Sequence, residues 1–278
     1  NASVTTDHVA FMPKYQTTFG PGVRSNARIA NGSDAEGWYS RVDRNGTMRQ
    51  TFFPTTAYFG PKYDGREVLY YDGTMREYSP ISSNPWNEVF RTGVTQQYNL
   101  AIVRGDAKGN TRFSYTYVDN LPTQYNSTFK KHNFNLNGSQ NISESLRVDY
   151  TANYIISNIK NRPYRISRLT NNFGGMFGPF DDVKYLREHT ITSLGYKNQV
   201  YNATKQLTPD EGFEWTPSTY ALVDEYFWNI LAKEQLENNN RLIASVTPSW
   251  NIIDGLTLRG RAATDLTVEN VENKATSS

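Results

Sequence analysis

The stretch LRVDYTANYII constrains this chain more than any other. Leu146, Val148, Tyr150, Ala152, Tyr154 and Ile156 fall on one side of an extended backbone, with Arg147, Asp149, Thr151 and Asn153 on the other. A helix would scatter these residues around its circumference, so the period of two requires a strand with two chemically different faces. Phe134 and Leu136 keep the same alternation ahead of the polar break NGSQNISES. The pattern recurs twice. Tyr98, Leu100 and Ile102 precede RGDAKGN, and Phe113, Tyr115 and Tyr117 follow it, interleaved with Arg112, Ser114 and Thr116. Leu242, Ala244, Val246, Pro248 and Trp250 lead into NIIDG, and Leu256, Leu258, Gly260, Ala262, Thr264 and Leu266 return, with Arg259, Arg261 and Asp265 opposite. The expectation is three antiparallel hairpins, near 96–118, 130–157 and 241–268.

Strand length narrows the class. The alternating runs are roughly 9–12 residues, the length that crosses a bilayer at a tilt, whereas strands of soluble domains centre near about 5–6. Turns within pairs are short and links between pairs are expected to be long: DNLPTQYNSTFK separates the first two, and a long external loop region, 158–240, separates the second from the third. Short turns at one end and long loops at the other is the habit of outer-membrane barrels. The sequence predicts an all-β fold, a segment of an antiparallel transmembrane barrel. Two alternatives share the alternation: a soluble secreted aromatic-rich β-sandwich that binds glycans, and a passive porin-like channel.

Composition excludes several classes. Mean hydropathy is −0.67, yet a barrel exposes only alternate residues to lipid, so a low average does not argue against one. No apolar run reaches the length of a membrane-spanning helix. The aromatic content, 19 Tyr, 14 Phe and 5 Trp, suits interfacial girdles. There is no cysteine, which removes disulfide scaffolds and thiolate metal sites. A net charge of +2 without a basic cluster leaves no footprint for nucleic acid. The chain starts NASVTTDHVA and ends VENKATSS, which reads as part of a longer protein.

The remaining segments are less regular. FMPKYQTTFG is expected as a strand, NGSDAEGWYSRVDRNG and FGPKYDG as turns, and Thr219–Glu237 as a short loop helix. His8, His132 and His189 fall in no ligand pattern, no G-x-S-x-G elbow occurs, and no catalytic, metal or cofactor site is expected. FGGMFGPF is read as an aromatic surface loop, and the neighbours Asp181 and Asp182 as a solvated acidic turn. Sequons at Asn31, Asn45, Asn126, Asn137, Asn141 and Asn202 follow from abundant asparagine.

The runs NEVFRTGVTQQYNLAIVRGDAKGNTRFSYTYVDN, KKHNFNLNGSQNISESLRVDYTANYI and NNNRLIASVTPSWNIIDGLTLRGRAATD, with FGPKYDG upstream, resemble the barrel of SusC/RagA-type TonB-dependent transporters. Phe59 stands where that family usually has Trp, and EYFW at 225–228 replaces an Asn-Pro-aromatic-Trp motif. The resemblance implies part of a barrel of about 22 strands, without its plug domain. It implies a protein in the outer membrane of a Gram-negative, Bacteroidetes-type bacterium that imports oligosaccharides or oligopeptides. The implied partners are a SusD-like surface lipoprotein as lid, TonB through an N-terminal segment outside this chain, outer-membrane lipid, and a second transporter–lid pair. On that expectation Arg112, Arg147, Asp149, Arg259 and Arg261 face the lumen or plug. The loop aromatics Tyr164, Phe177 and Trp215 are candidates to meet substrate or lid.

Overall fold

A computed structural model describes residues 1–23, 32–53, 57–164, 178–200, 211–215 and 218–274. In chain order its first strands are β1 (Ala2–Asp7), β2 (Gly22–Val23), β3 (Trp38–Val42), β4 (Met48–Phe52), β5 (Tyr58–Phe59), β6 (Glu67–Leu69) and β7 (Met75–Glu77). Then come β8 (Gly93–Asp106), β9 (Gly109–Leu121), β10 (Thr128–Asn141), β11 (Leu146–Lys160), β12 (Glu234–Ile253), β13 (Leu256–Arg259) and β14 (Ala262–Lys274). Among the described residues between β11 and β12 are two helices, α1 (Val183–Glu188) and α2 (Ser218–Leu231). The chain divides into two compact units rather than one barrel segment with loops.

The first unit contains β1 and β8–β14. It is one antiparallel sheet in the order β1-β8-β9-β10-β11-β12, with β13 and then β14 pairing β12, and it does not close on itself. The fold is all-β and antiparallel. Phe134 lies opposite Tyr154 and Leu136 opposite Ala152, so the two apolar files of that hairpin share a face. Tyr98 pairs Tyr117 and Leu100 pairs Tyr115 in the first hairpin; Leu242 pairs Leu266 in the third.

Three tight turns close one end of the sheet. Asp106 accepts from the Lys108 and Gly109 N–H groups at 2.8 and 3.1 Å, which fixes the β8–β9 turn. Residues 142–145 join β10 to β11, so most of NGSQNISES continues the strands rather than forming the turn. Asp254 and Gly255 join β12 to β13, with Gly255 at φ +81°, a conformation that suits glycine. The third hairpin is interrupted at Pro248. Its carbonyl accepts from the Gly260 N–H at 3.1 Å, but proline offers no N–H in return, and the partner strand breaks into β13 and β14 there.

At the other end the expected long link DNLPTQYNSTFK shrinks to residues 122–127, because β9 and β10 take up its flanks. Asn126 and Asn161 adopt positive φ, +58° and +50°. The Asn161 side chain donates to the Asn126 carbonyl at 3.0 Å and accepts from the Gln235 N–H at 2.7 Å. It ties the β9–β10 link to the start of β12. Asp7 lies opposite Gly93, and Lys160 opposite Leu236, so both long excursions of the chain leave the sheet at this same end.

Those excursions make up the second unit, chiefly Val9–Arg91 and Tyr164–Lys233. Region 158–240 is therefore not a loop: Lys160 and Glu234 still belong to the sheet, and much of what lies between belongs to a packed unit. Its core is aromatic, with Phe52, Tyr70, Tyr71, Tyr78, Phe180 and Phe227 all but inaccessible. Phe180 meets Phe52 edge-on at 5.0 Å and Tyr70 at 5.3 Å, favoured geometries for ring pairs. Three short two-stranded sheets, β2–β5, β3–β4 and β6–β7, frame it.

Two further expectations change here. FMPKYQTTFG forms no strand; Gln16 folds the chain instead, accepting from Thr18 and Phe19 N–H at 2.8 Å and donating to the Tyr58 carbonyl at 2.9 Å. The expected helix over Thr219–Glu237 stops at Leu231, because from Glu234 the backbone finds ladder partners on both β11 and β14.

Candidate functional site

The two faces of the long sheet are the feature most specific to this molecule. On one face, cross-strand pairing aligns Leu100, Tyr115, Phe134, Tyr154, Leu242 and Leu266 in a single row over six strands. Ile102, Phe113, Leu136, Ala152, Ala244 and Thr264 form the next row. Above them run Tyr98, Tyr117, His132, Ile156, Asn240 and Val268, and one row further the face turns wholly polar at Gln96, Asp119, Lys130, Asn158, Asn238 and Asn270. Toward the tight turns the band narrows to β11 and β12 and finishes with Leu146, Trp250 and Leu258, while β8–β10 carry Arg104, Thr111 and Gly138 and then Asp106, Gly109 and Gln140 on the same face.

From Leu146 to Ile156 this band runs ~33 Å along β11 at about 3.3 Å per residue, which a tilt of about 40° projects to ~25 Å. Many of its side chains remain open: Leu100 is 59% exposed, Trp250 49% and Leu266 58%. An ordered apolar surface of this extent is a binding surface for something apolar. Aromatic residues lie both inside the band, at Tyr115, Phe134 and Tyr154, and at its margins. Tyr117 and His132 rings lie 4.9 Å apart and the Tyr115 hydroxyl meets His132 Nδ1 at 2.8 Å near the upper edge. Near the lower edge the Tyr150 ring lies over Gly138, where a Cβ would come within 2.5 Å of the Tyr150 oxygen.

The opposite face is mostly hydroxyl, carboxamide and charge. Arg112, Asn137, Thr151 and Ser245 share one row, and Arg147, Ser249 and Arg259 share another. Arg147 donates to Asp149 at 3.1 Å, so the structure brings Arg147, Asp149 and Arg259 together; Arg112 lies toward the β8 edge and Arg261 in the break between β13 and β14. Asn99 donates to Thr116 at 2.7 Å, Asn137 to Asn135 at 2.8 Å, and the Thr151 and Ser245 hydroxyls meet at 2.9 Å. Val103 and Ile243 interrupt this face as exposed apolar side chains.

The loop aromatics separate. Tyr164 is exposed, 6.1 Å from the Tyr226 ring. Phe177 lies outside the described residues. Trp215 is a correction: it is buried at 5% exposure, edge-on to Phe52 at 6.2 Å with the Arg41 guanidinium 4.8 Å above its ring, and offers no open face to a solute.

The pair Asp181 and Asp182 also differs from the solvated turn the sequence suggests. Asp182 caps α1, accepting from the Tyr185 N–H at 2.9 Å, and pairs with Arg76 at 2.7 Å. Asp181 is enclosed; its carboxyl accepts from the Tyr58 hydroxyl and from the Gly178 N–H at 2.6 Å. Burial pushes it up to about 7, against the pull of both donors. Asp224 on α2 is raised to about 6 by burial, opposed by Lys197 at 3.5 Å and by the Thr190 hydroxyl at 2.9 Å. No motif announced either acid, since each depends on enclosure by residues distant in sequence. Among the described residues no cluster of His, Asp and Glu is arranged to hold a metal ion.

No family model and no curated protein matches this sequence. Among solved structures, the RagAB peptide importer in a closed-closed state is similar over 71% of this chain, at 20% identity and a TM-score of 0.46. The chain spans 20% of the length of that protein. A score of that size does not establish a common fold.

Proposed function

We propose that this chain forms part of the wall of an outer-membrane barrel transporter, with the apolar band against lipid and the opposite face toward a polar lumen. The carrying observation is the band itself: three successive six-strand rows rich in apolar and aromatic residues, continued along β11 to ~25 Å at a barrel's tilt and bounded on one side by a wholly polar row. Strands of 13–15 residues in β9–β11, tight turns at one end and long excursions at the other support the same reading. The motif resemblance to SusC/RagA-type transporters points to TonB-coupled uptake of oligosaccharides or oligopeptides, with a SusD-like lipoprotein lid and paired assembly. The sheet's open edges are then continued by strands outside this chain. In that setting Arg112, Arg147, Asp149, Arg259 and Arg261 line the lumen side.

The test compares adjacent residues on β11. Tyr150→Asp sets a carboxylate against lipid and is expected to lower the yield of assembled, protease-resistant barrel in outer membranes severalfold, whereas Thr151→Asp leaves it near the wild-type level. Equal yields sink the assignment of faces. A full-length protein that purifies as a monomer without detergent sinks the membrane reading altogether.

A further inference from the structure

The tight-turn end of the sheet holds a cavity of about 530 Å³, a volume suited to a small ligand. Lys108 from the β8–β9 turn, residues 141–147 around the β10–β11 turn, and Ser249 and Asn251 of β12 are among its walls. Backbone bonds fix the rim: the Asn141 N–H donates to the Lys108 carbonyl at 2.7 Å, and the Asn251 N–H to the Ser145 carbonyl at 2.8 Å. The Ser143 hydroxyl accepts from the Ser145 and Leu146 N–H groups at 3.3 and 3.1 Å, which shapes the turn itself. The walls are amphiphilic. Leu146, where the apolar band ends on β11, and Ile142, 62% exposed at the turn, stand with Lys108 and Arg147 around one cavity. Ile252 and Ile253 at the adjoining end of β12 are exposed as well. Open isoleucines on two successive turns suit an apolar neighbour better than water.

Positive charge gathers at the same margin. Neither Lys108 nor Arg104, which lies on the apolar face where the band gives way on β8, has an ion-pair partner among the described residues. Arg147 is engaged by Asp149, Glu144 is the one acid in the cavity wall, and the Asp106 carboxylate is taken up by two N–H groups of its own turn. On the reading that the band faces lipid, we propose that this margin holds an anionic phospholipid, its phosphate against Lys108 in the cavity and its acyl chains along the band that starts at Leu146. A lysine ammonium meets phosphate as a point charge on a flexible stem. Asn251 Oδ1 already accepts from the Thr257 hydroxyl at 2.8 Å, so its NH2 is left to donate to headgroup oxygens, together with the hydroxyls of Ser145 and Ser249. Arg104 lays its stem on the end of the apolar face and keeps its guanidinium at headgroup level. A soluble phosphate would use the cations and leave Leu146 and the isoleucines without a role; a lipid uses both.

The experiment is native mass spectrometry of the full-length protein released from detergent that carries equal amounts of phosphatidylglycerol and phosphatidylcholine. The wild type is expected to retain phosphatidylglycerol preferentially. Lys108→Gln is expected to cut that retention about fivefold, the effect of one cation at a membrane surface, and Lys108→Arg to keep most of it. Lys108 is exposed and its side chain bonds to no described residue, so its substitution tests the site and not the fold. Lys130→Gln, in the polar row at the opposite margin of the same face, is expected to leave retention unchanged. Equal losses at Lys108 and Lys130 mean attraction to net charge and overturn the proposal. Displacement of the lipid by equimolar glycerol 3-phosphate makes this a free-phosphate site and overturns it equally. A protein that needs detergent yet retains both lipids alike overturns the proposal and leaves the membrane reading intact. One that is a monomer without detergent removes the membrane reading, and the lipid site with it.

Discussion

Tyr154 in the long sheet and Tyr70 in the second unit are the same residue type put to opposite use. Tyr154 is 40% exposed within a row of apolar side chains that no strand of its own sheet can cover, whereas Tyr70 is fully enclosed by Phe52, Phe180 and Tyr71. The second unit has an interior of its own. The sheet has only a ladder and two faces, so its apolar surface gains its main stabilisation from whatever solvent or partner lies outside it. What holds each unit together should therefore respond to different insults.

The largest difference is expected at a core ring. Phe180→Ala removes edge-on contacts to Phe52 and Tyr70 and a ring 5.0 Å from Tyr78, at a cost of about 3–5 kcal/mol. Phe134→Ala in the sheet loses the Tyr115 ring at 4.9 Å and little enclosure, for which about 0.5–1.5 kcal/mol is the expected scale in detergent. Pulse proteolysis of each unit measures both. A loss at Phe134 as large as that at Phe180 would mean the sheet has a buried core after all.

A smaller effect is expected at Asn161, where the sheet ends. Asn161→Ala deletes the bonds to the Asn126 carbonyl and the Gln235 N–H and leaves alanine at φ +50°. The expected loss is about 1–3 kcal/mol, read as faster exchange of the Gln235 amide. Asn161→Asp, which keeps an acceptor for Gln235, should recover part of it. If neither substitution moves that amide, the β9–β10 link and β12 are held by their ladders alone.

The same contrast explains what was legible in the sequence. Hairpins announce themselves because a strand's alternation is local: Tyr150 and Thr151 differ in face whatever the rest of the chain does. Their ends were less visible. Asn141 and Thr128 continue as strand through polar sequence because the neighbouring backbone offers a ladder, which composition does not reveal. In the second unit the strands are two to five residues long and leave no period to count. Trp215 looked like a loop aromatic and Asp181 like a surface acid because each is buried by residues more than a hundred positions away, Phe52 and Tyr58 among them. The alternation places Arg112, Arg147, Asp149 and Arg259 on one face, while only the register brings Arg147 and Arg259 to the same Ser249.

The smallest expected effect tests what the polar face meets. Arg241 grips Asp265 with bonds of 2.9 and 2.6 Å, yet both side chains are about half exposed in the isolated chain. An ion pair in that setting is worth about 0.2–1 kcal/mol and weakens with salt. A double-mutant cycle of Arg241→Ala and Asp265→Ala in the full-length protein should return a coupling in that range, smaller at high ionic strength, if the polar face meets water as the proposed lumen requires. A salt-insensitive coupling of about 2 kcal/mol or more would instead place the pair out of water. The polar face would then be packed against protein across its width, and its charged residues would serve an internal interface in place of a solute path.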